Sequence, residues 1–154
     1  REEMLMHAWD PLPVRPVDKV FDLKLTGDNG FDSINGKSYQ MVPEAPYQRN
    51  PDPLRVKLGQ RIQVNFLNNN QDGHPMHLHG HRFQVVAIDG KKLVNGAVRD
   101  TVIVQGGCHS VSIVFDADNA GSWLLHCHME FHLAAGMATT VEYYDKPKAK
   151  HVGW

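Results

Sequence analysis

The chain is short of several things, and each shortage removes a class of protein. Charge of one sign is missing: 16 basic against 17 acidic residues leave a formal charge of −1. No general attraction to nucleic acid or acidic membranes follows from that balance. No apolar stretch approaches the roughly 18–20 residues of a membrane span. Cysteine is scarce, with Cys108 and Cys127 alone, which excludes a disulfide-stapled scaffold. A Cys108–Cys127 bridge is not expected either, because Cys127 sits between two histidines and has a better use as a ligand. No long segment keeps a helical period, and there is no internal repeat or low-complexity run. The sequence opens on Arg1 without a signal peptide. It is expected to be a fragment or a processed product, so that absence says little about compartment.

What is present reads as strands. At 154 residues with 42% hydrophobic content, the chain can bury one ordinary core. "VFDLKL" puts Phe21, Leu23 and Leu25 on one face, and "RIQVNFLN" does the same with Ile62, Val64 and Phe66. "RFQVVAIDG", "DTVIVQGG", "SVSIVFDADNAG" and "ATTVEYY" continue the alternation, punctuated by Asp28-Asn29-Gly30, Asn35-Gly36, Asp89-Gly90, Asn95-Gly96 and Gly106-Gly107. About eight short strands at this spacing predict an all-β, antiparallel Greek-key sandwich or barrel. Residues 1–19, with three prolines, read as a linker or an extended N-terminal arm. The β domain is expected over 20–146, followed by a C-terminal tail at 147–154.

Ten histidines are the excess. Seven fall in two segments, "HPMHLHGH" at 74–81 and "HCHMEFHLAAGM" at 126–137. Residues two apart on a strand share a face. His77 and His79 therefore share one, with Leu78 opposite; His126 and His128 share one, with Cys127 pointing away. One strand could serve two metal sites back to back. On the cysteine side, His132 follows Cys127 by five residues, Met137 follows by ten, and His74 precedes His77 by three. Two imidazoles, a thiolate and a weak axial thioether form the trigonal set of an electron-transferring blue copper site. Zinc would accept the cysteine and histidines but gains little from Met137. On the other face His77, His79, His126 and His128 offer four imidazoles, which suit copper, zinc, iron or nickel.

Plainer roles fit the remaining candidates. His7, His109 and His151 read as surface or satisfied core residues. His81 falls on the strand face of His77 and His79 but is read as a structural, hydrogen-bonding residue. Met76 and Met129 are assigned to packing, and Cys108 to a free thiol in "QGGCHS".

The two segments resemble the C-terminal copper-binding segments of the multicopper oxidases, the laccase family. In that family the last cupredoxin domain carries H-x-x-H-x-H and then H-C-H-x-x-x-H-x-x-x-x-M. Both patterns are whole here, and the resemblance extends over about residues 50–145. It implies a cupredoxin fold and copper as cofactor. It assigns His74, Cys127, His132 and Met137 to a type 1 copper, His77 to the type 2 copper, and His79, His126 and His128 to the type 3 pair. Electrons from a reducing substrate (a phenol, an aromatic amine or a metal ion) would enter at the type 1 copper. They would pass from Cys127 to His126 and His128, and oxygen would be reduced to water at the trinuclear cluster. Such enzymes work in the periplasm or outside the cell. Asp100 is a candidate for the substrate seat near a type 1 histidine, although a charge pair is the simpler reading.

One departure stands out. The family's trinuclear cluster takes eight histidines, four of them from two H-x-H motifs of an N-terminal cupredoxin domain. Here His7 is the sole histidine before His74. The chain can complete the type 1 site but only half of the cluster. The other half is expected from an N-terminal cupredoxin domain or another chain, or from a homo-oligomer pooling its half-sites around a symmetry axis. The enzymatic reading is an oxidase domain that is inactive as an oxidase in isolation. The alternative is a stand-alone blue-copper electron carrier or copper-binding protein, which would have no use for the four extra imidazoles.

Overall fold

The computed structural model describes residues 3–28, 31–40 and 50–144; the C-terminal tail and His151 lie outside them. Two β-sheets pack face to face. The first is built from β1 (Lys19–Asp28), β2 (Phe31–Ile34), β4 (Arg61–Asn68), β6 (Phe83–Ile88), β7 (Lys91–Lys92), β8 (Val98–Arg99) and β10 (His109–Asp116), in the order β2-β1-β4-β10-β6-β7 with β8 also on β6. The second runs β3-β12-β11-β5-β9, from β3 (Leu54–Val56), β5 (His74–Leu78), β9 (Thr101–Val104), β11 (Ser122–Cys127) and β12 (Ala138–Tyr143). A short α-helix, α1 (Glu130–Ala134), links β11 to β12. The all-β sandwich expected from the strand pattern is what forms. Two pairings depart from the antiparallel expectation: β1 runs parallel to β4, and β3 parallel to β12. Alternation within a strand is the same for either direction, so the sequence pattern carries no signal for it.

The alternation itself is obeyed closely. Leu23, Leu25, Ile62, Val64 and Phe66 are buried between the sheets, with Phe21 partly buried at the edge. They meet Met76, Leu78, Leu125 and Val141 from the second sheet in one continuous core. Each such side chain taken out of water contributes about 1.5–3 kcal/mol of burial.

The N-terminal arm is fastened to the first sheet. Ala8 donates to the Asn95 carbonyl at 2.9 Å, and Leu12 to Gln84 Oε1 at 3.2 Å. Arg61, almost fully buried, holds Asp116 through two nitrogens at 2.7 and 3.1 Å and donates to the Pro13 carbonyl at 2.8 Å. That hydrogen bond to Arg61 is the main reason the Asp116 carboxyl titrates below its usual range. Arg15 extends the same group to the Gly59 carbonyl and Asp116.

Gly80 ends the second-sheet strand that carries the first histidines. Its φ is +69°, and an added Cβ would run into the Trp123 ring. The turn throws His81 off the face of His77 and His79. His81 is buried against Phe115, Trp123 and Tyr143 and lies 2.6 Å from the Tyr143 hydroxyl and 3.0 Å from the His79 carbonyl. It is a hydrogen-bonded core residue. Replacing Gly80 by Ala forces a strained backbone and displaces Trp123. The variant is expected to lose about 1–3 kcal/mol in urea unfolding, and an unchanged midpoint would contradict this role.

Candidate metal centre

The register between β5 and β11 builds the site. These strands pair antiparallel with His126 opposite His77, Leu125 opposite Leu78 and Cys127 opposite Met76. The ladder continues past both ends: His79 N–H donates to the Leu124 carbonyl at 3.0 Å, and His128 N–H to the Pro75 carbonyl at 2.7 Å. Because faces alternate with period two, His77, His79, His126 and His128 emerge together on the outer face. Cys127 points the other way, into the core, beside Met76. The spacing of three between His74 and His77 is odd, so His74 joins the cysteine's side and is fully buried there.

Two more residues reach Cys127 because the chain doubles back. After β11 it passes through α1, which carries His132, and turns at Gly136, whose φ is +110°. Met137 N–H donates to the His132 carbonyl and Cys127 N–H to the Met137 carbonyl, both at 3.0 Å. An added Cβ on Gly136 would crowd Ser38 at 2.6 Å. This small-residue return brings the backbone of Met137, fully buried, beside that of Cys127, ten residues earlier in the sequence.

The inner cluster is compact. His74 Nδ1 and His132 Nδ1 are 3.0 Å apart, and Cys127 Sγ lies 3.7 and 3.5 Å from them. Three such donor atoms within 4.8 Å of one another can hold a metal ion. Burial, then the neighbouring His132, lowers the His74 pKa to about 4. Burial also pushes the Cys127 thiol up to about 11. Both shifts favour neutral groups, which a soft cation would convert to ligands by displacing the thiol proton. The donor set, one thiol and two imidazoles with a buried methionine whose backbone is hydrogen-bonded to those of Cys127 and His132, fits copper.

The outer cluster is looser. His79 Nε2 and His126 Nε2 are 2.9 Å apart, and with His77 they form a second group of donors within 4.8 Å. His128 is not in that donor group, although its ring is 5.6 Å from that of His77 and 5.7 Å from that of His126. Burial, followed by the proximity of His77 and His128, lowers the His79 pKa; burial is also the main cause for His126. Backbone carbonyls orient two of these rings. His126 Nδ1 donates to the Cys127 carbonyl at 2.8 Å and His77 Nδ1 to the Asp100 carbonyl at 2.9 Å. In each case the proton is committed to Nδ1 and the lone pair is left on Nε2, an outer-shell arrangement common around metals.

The readings of Asp100 near the substrate seat and of Met129 as a packing residue need revising. Asp100 belongs to the outer cluster, beside His77 and Thr101, across the sheet from Cys127. Its carboxylate is 67% exposed and 3.9 Å from His77 Nδ1. The opening beside His74 and His132, of about 290 Å³, is lined by Gly27, Asp32 and the loop from Asn69 to Asp72. None of these was legible as a site residue. The run Asn68-Asn69-Asn70, four residues ahead of His74, was the available signal. Met76 packs in the core, but Met129 is 42% exposed. His7 is exposed, and His109 pairs with Asp89 at 2.8 Å on the surface. Both cysteines are free thiols.

Residues 16–147 match the family described as multicopper oxidase. The multicopper oxidase MmcO of Mycobacterium tuberculosis is 42% identical over 111 residues, covering 72% of this chain and 19% of that protein. Laccase-2 of Fomitopsis schrenkii is 33% identical over 174 residues, covering 97% of this chain and 33% of that protein. The chain thus spans no more than a third of these curated relatives. Among solved structures, the blue copper oxidase of Nitrosomonas europaea superposes with a TM-score of 0.73 at 28% identity, over 92% of this chain and 50% of that one. The match runs through both strands that carry the histidine clusters, and this chain belongs to the multicopper oxidase family.

Proposed function

We propose that the chain, as a cupredoxin domain over residues 20–146, is the C-terminal copper-binding part of a laccase-like oxidase. Its inner cluster would take electrons from a reducing substrate and its outer cluster would supply half of an oxygen-reducing site. The observation that carries this reading is one strand, β11, serving two donor clusters from opposite faces: Cys127 with His74 and His132, and His126 with His77 and His79. A lone electron carrier would need the first cluster only. Bound copper supplies one-electron redox chemistry that no protein side chain here provides.

The family pattern supports a role for each residue. His74, Cys127 and His132 would hold the type 1 copper, with Met137 as the weak axial donor. His77 would hold the type 2 copper, and His79, His126 and His128 the type 3 pair. Cys127 and His74 are buried, while half-buried His132, at the cavity beside them, offers the edge at which a phenol, an aromatic amine or a metal ion would deliver its electron. The peptide units joining Cys127 to His126 and His128 are the shortest covalent path between the clusters, and electron passage is assigned to them. The remaining imidazoles would come from an N-terminal cupredoxin domain, another chain or a symmetric oligomer. No helix among the described residues is long and apolar enough to cross a membrane, and we place the work of the protein in the periplasm or outside the cell.

Three outcomes test this. The copper-loaded chain, kept monomeric, should accept an electron from a phenol without sustained oxygen consumption; continued oxygen uptake by the monomer would contradict the half-site reading. Cys127→Ser should abolish the visible thiolate-to-copper band, whereas Met137→Leu should keep it and raise the reduction potential, since the axial donor tunes rather than makes the site. Equal loss in both variants would remove Met137 from its role. Copper uptake should weaken as pH falls, by up to about tenfold per unit for one displaced proton, because the Cys127 thiol stays protonated well below about 11. His74 should add a second proton to that dependence only near about 4. Uptake independent of pH between 5 and 8 would show that the thiol is not a ligand.

A further inference from the structure

Asn70 stands behind the buried histidine. Its side-chain amide nitrogen lies 2.7 Å from His74 Nε2. The backbone around it is held by Asn68, which is fully buried: Asn70 N–H donates to Asn68 Oδ1 at 2.9 Å, and Asn68 Nδ2 donates to the Asp72 and Val104 carbonyls at 2.8 and 3.0 Å. Gly27 lies against the other side, where a Cβ would come within 3.2 Å of Asn70 Nδ2 and 3.4 Å of Oδ1. The amide is thus seated against the ring, with its open side on the cavity of about 290 Å³ that also borders Asp32, Asp72 and His132.

The two ends of the His74 ring make incompatible demands on its proton. At the far end, His74 Nδ1 and His132 Nδ1 are 3.0 Å apart. Two imidazole lone pairs cannot face each other at that distance, so a proton or a cation has to lie between them. Where it is a proton, the amide nitrogen of Asn70 donates to Nε2, and the ring carries its own hydrogen on Nδ1, toward His132. Where it is a metal, Nδ1 must present a lone pair, and the hydrogen moves to Nε2, which then needs an acceptor. An amide can meet both conditions in one place, because a half-turn of its plane exchanges Nδ2 for Oδ1. A carboxylate meets only the second.

We propose that Asn70 is a positioning residue that serves both tautomers of His74, its amide turning over when the ring takes up metal. The exchange is balanced: the Nδ1 proton leaves to water in the cavity, a proton from water arrives at Nε2, and the ring stays neutral. No proton is released beyond the one lost by Cys127. The proposal rests on the reading of His74 as a metal ligand through Nδ1.

Long-range 1H–15N correlation spectra of the labelled chain test it, recorded without added metal and with one equivalent of Zn2+ as a diamagnetic probe. His74 is expected to be Nδ1–H without metal and Nε2–H with Zn2+. The same Nε2–H form in both spectra would overturn the proposal. Asn70→Asp, which can only accept, is expected to show the Nε2–H form before any metal is added; an Nδ1–H form there would also overturn it. The visible spectrum of the copper-loaded wild-type chain separates the two levels. A blue band beside an unchanged tautomer refutes the Asn70 switch alone, whereas no blue band refutes the ligand reading beneath it.

Discussion

The register of β5 against β11 is the constraint on which the site depends. With His126 opposite His77 and Cys127 opposite Met76, four imidazoles share the outer face and the thiol faces inward. A slip of one residue would reverse every side chain on the moving strand. The thiol would then face outward and His126 would be driven into the core. The hydrophobic residues forbid that slip. Met76 and Leu78 on β5 and Leu125 on β11 are buried on the inner side, and a slip would expose those of the moving strand at about 1.5–3 kcal/mol each. The core therefore determines which way the ligands point, and the metal chemistry uses an orientation that packing has already decided.

Two kinds of rigidity then meet at the inner cluster. From the strand side come His74 and Cys127, fixed by the ladder. From the loop side come His132 and Met137, fixed by α1, the Gly136 turn and the paired hydrogen bonds that join Met137 to both His132 and Cys127. Asn68 and Asn70 brace His74 from behind. The Asn70 amide governs which nitrogen of His74 carries the hydrogen. On the outer face the Asp100 and Cys127 carbonyls do the same for His77 and His126. That face is more open, and His128 is exposed, as a surface awaiting further ligands from a partner would be.

Much of this was legible beforehand because its signals are local. The alternation of Ile62, Val64 and Phe66 reports the β class, and the even or odd spacing of histidines reports their faces. Other features were hidden because they depend on chain crossings. Asp100 follows Arg99 with nothing to say which cluster it joins; only the pairing of β9 with β5, Thr101 against His77, places it on the outer side. His81 continues an alternation on paper, yet the positive φ of Gly80 turns it into the core against Tyr143. Asn70 and Asp32 reach the inner histidines from loops and an edge strand with no periodic signature. The parallel pairings of β1 with β4 and β3 with β12 are invisible for a related reason, since alternation does not encode strand direction.

In the proposed function, Cys127, His74 and His132 form a copper site of the blue type while the outer histidines remain half of a shared one. The most direct measurement is the visible spectrum of the copper-loaded 154-residue chain, taken beside a count of tightly bound metal. An intense visible band, the signature of a Cu(II)–thiolate bond of this class, with one tightly held copper per chain is the predicted result. Copper bound without that band, with Cys127 reduced, would contradict the account and leave the histidines to be explained as a plain metal store.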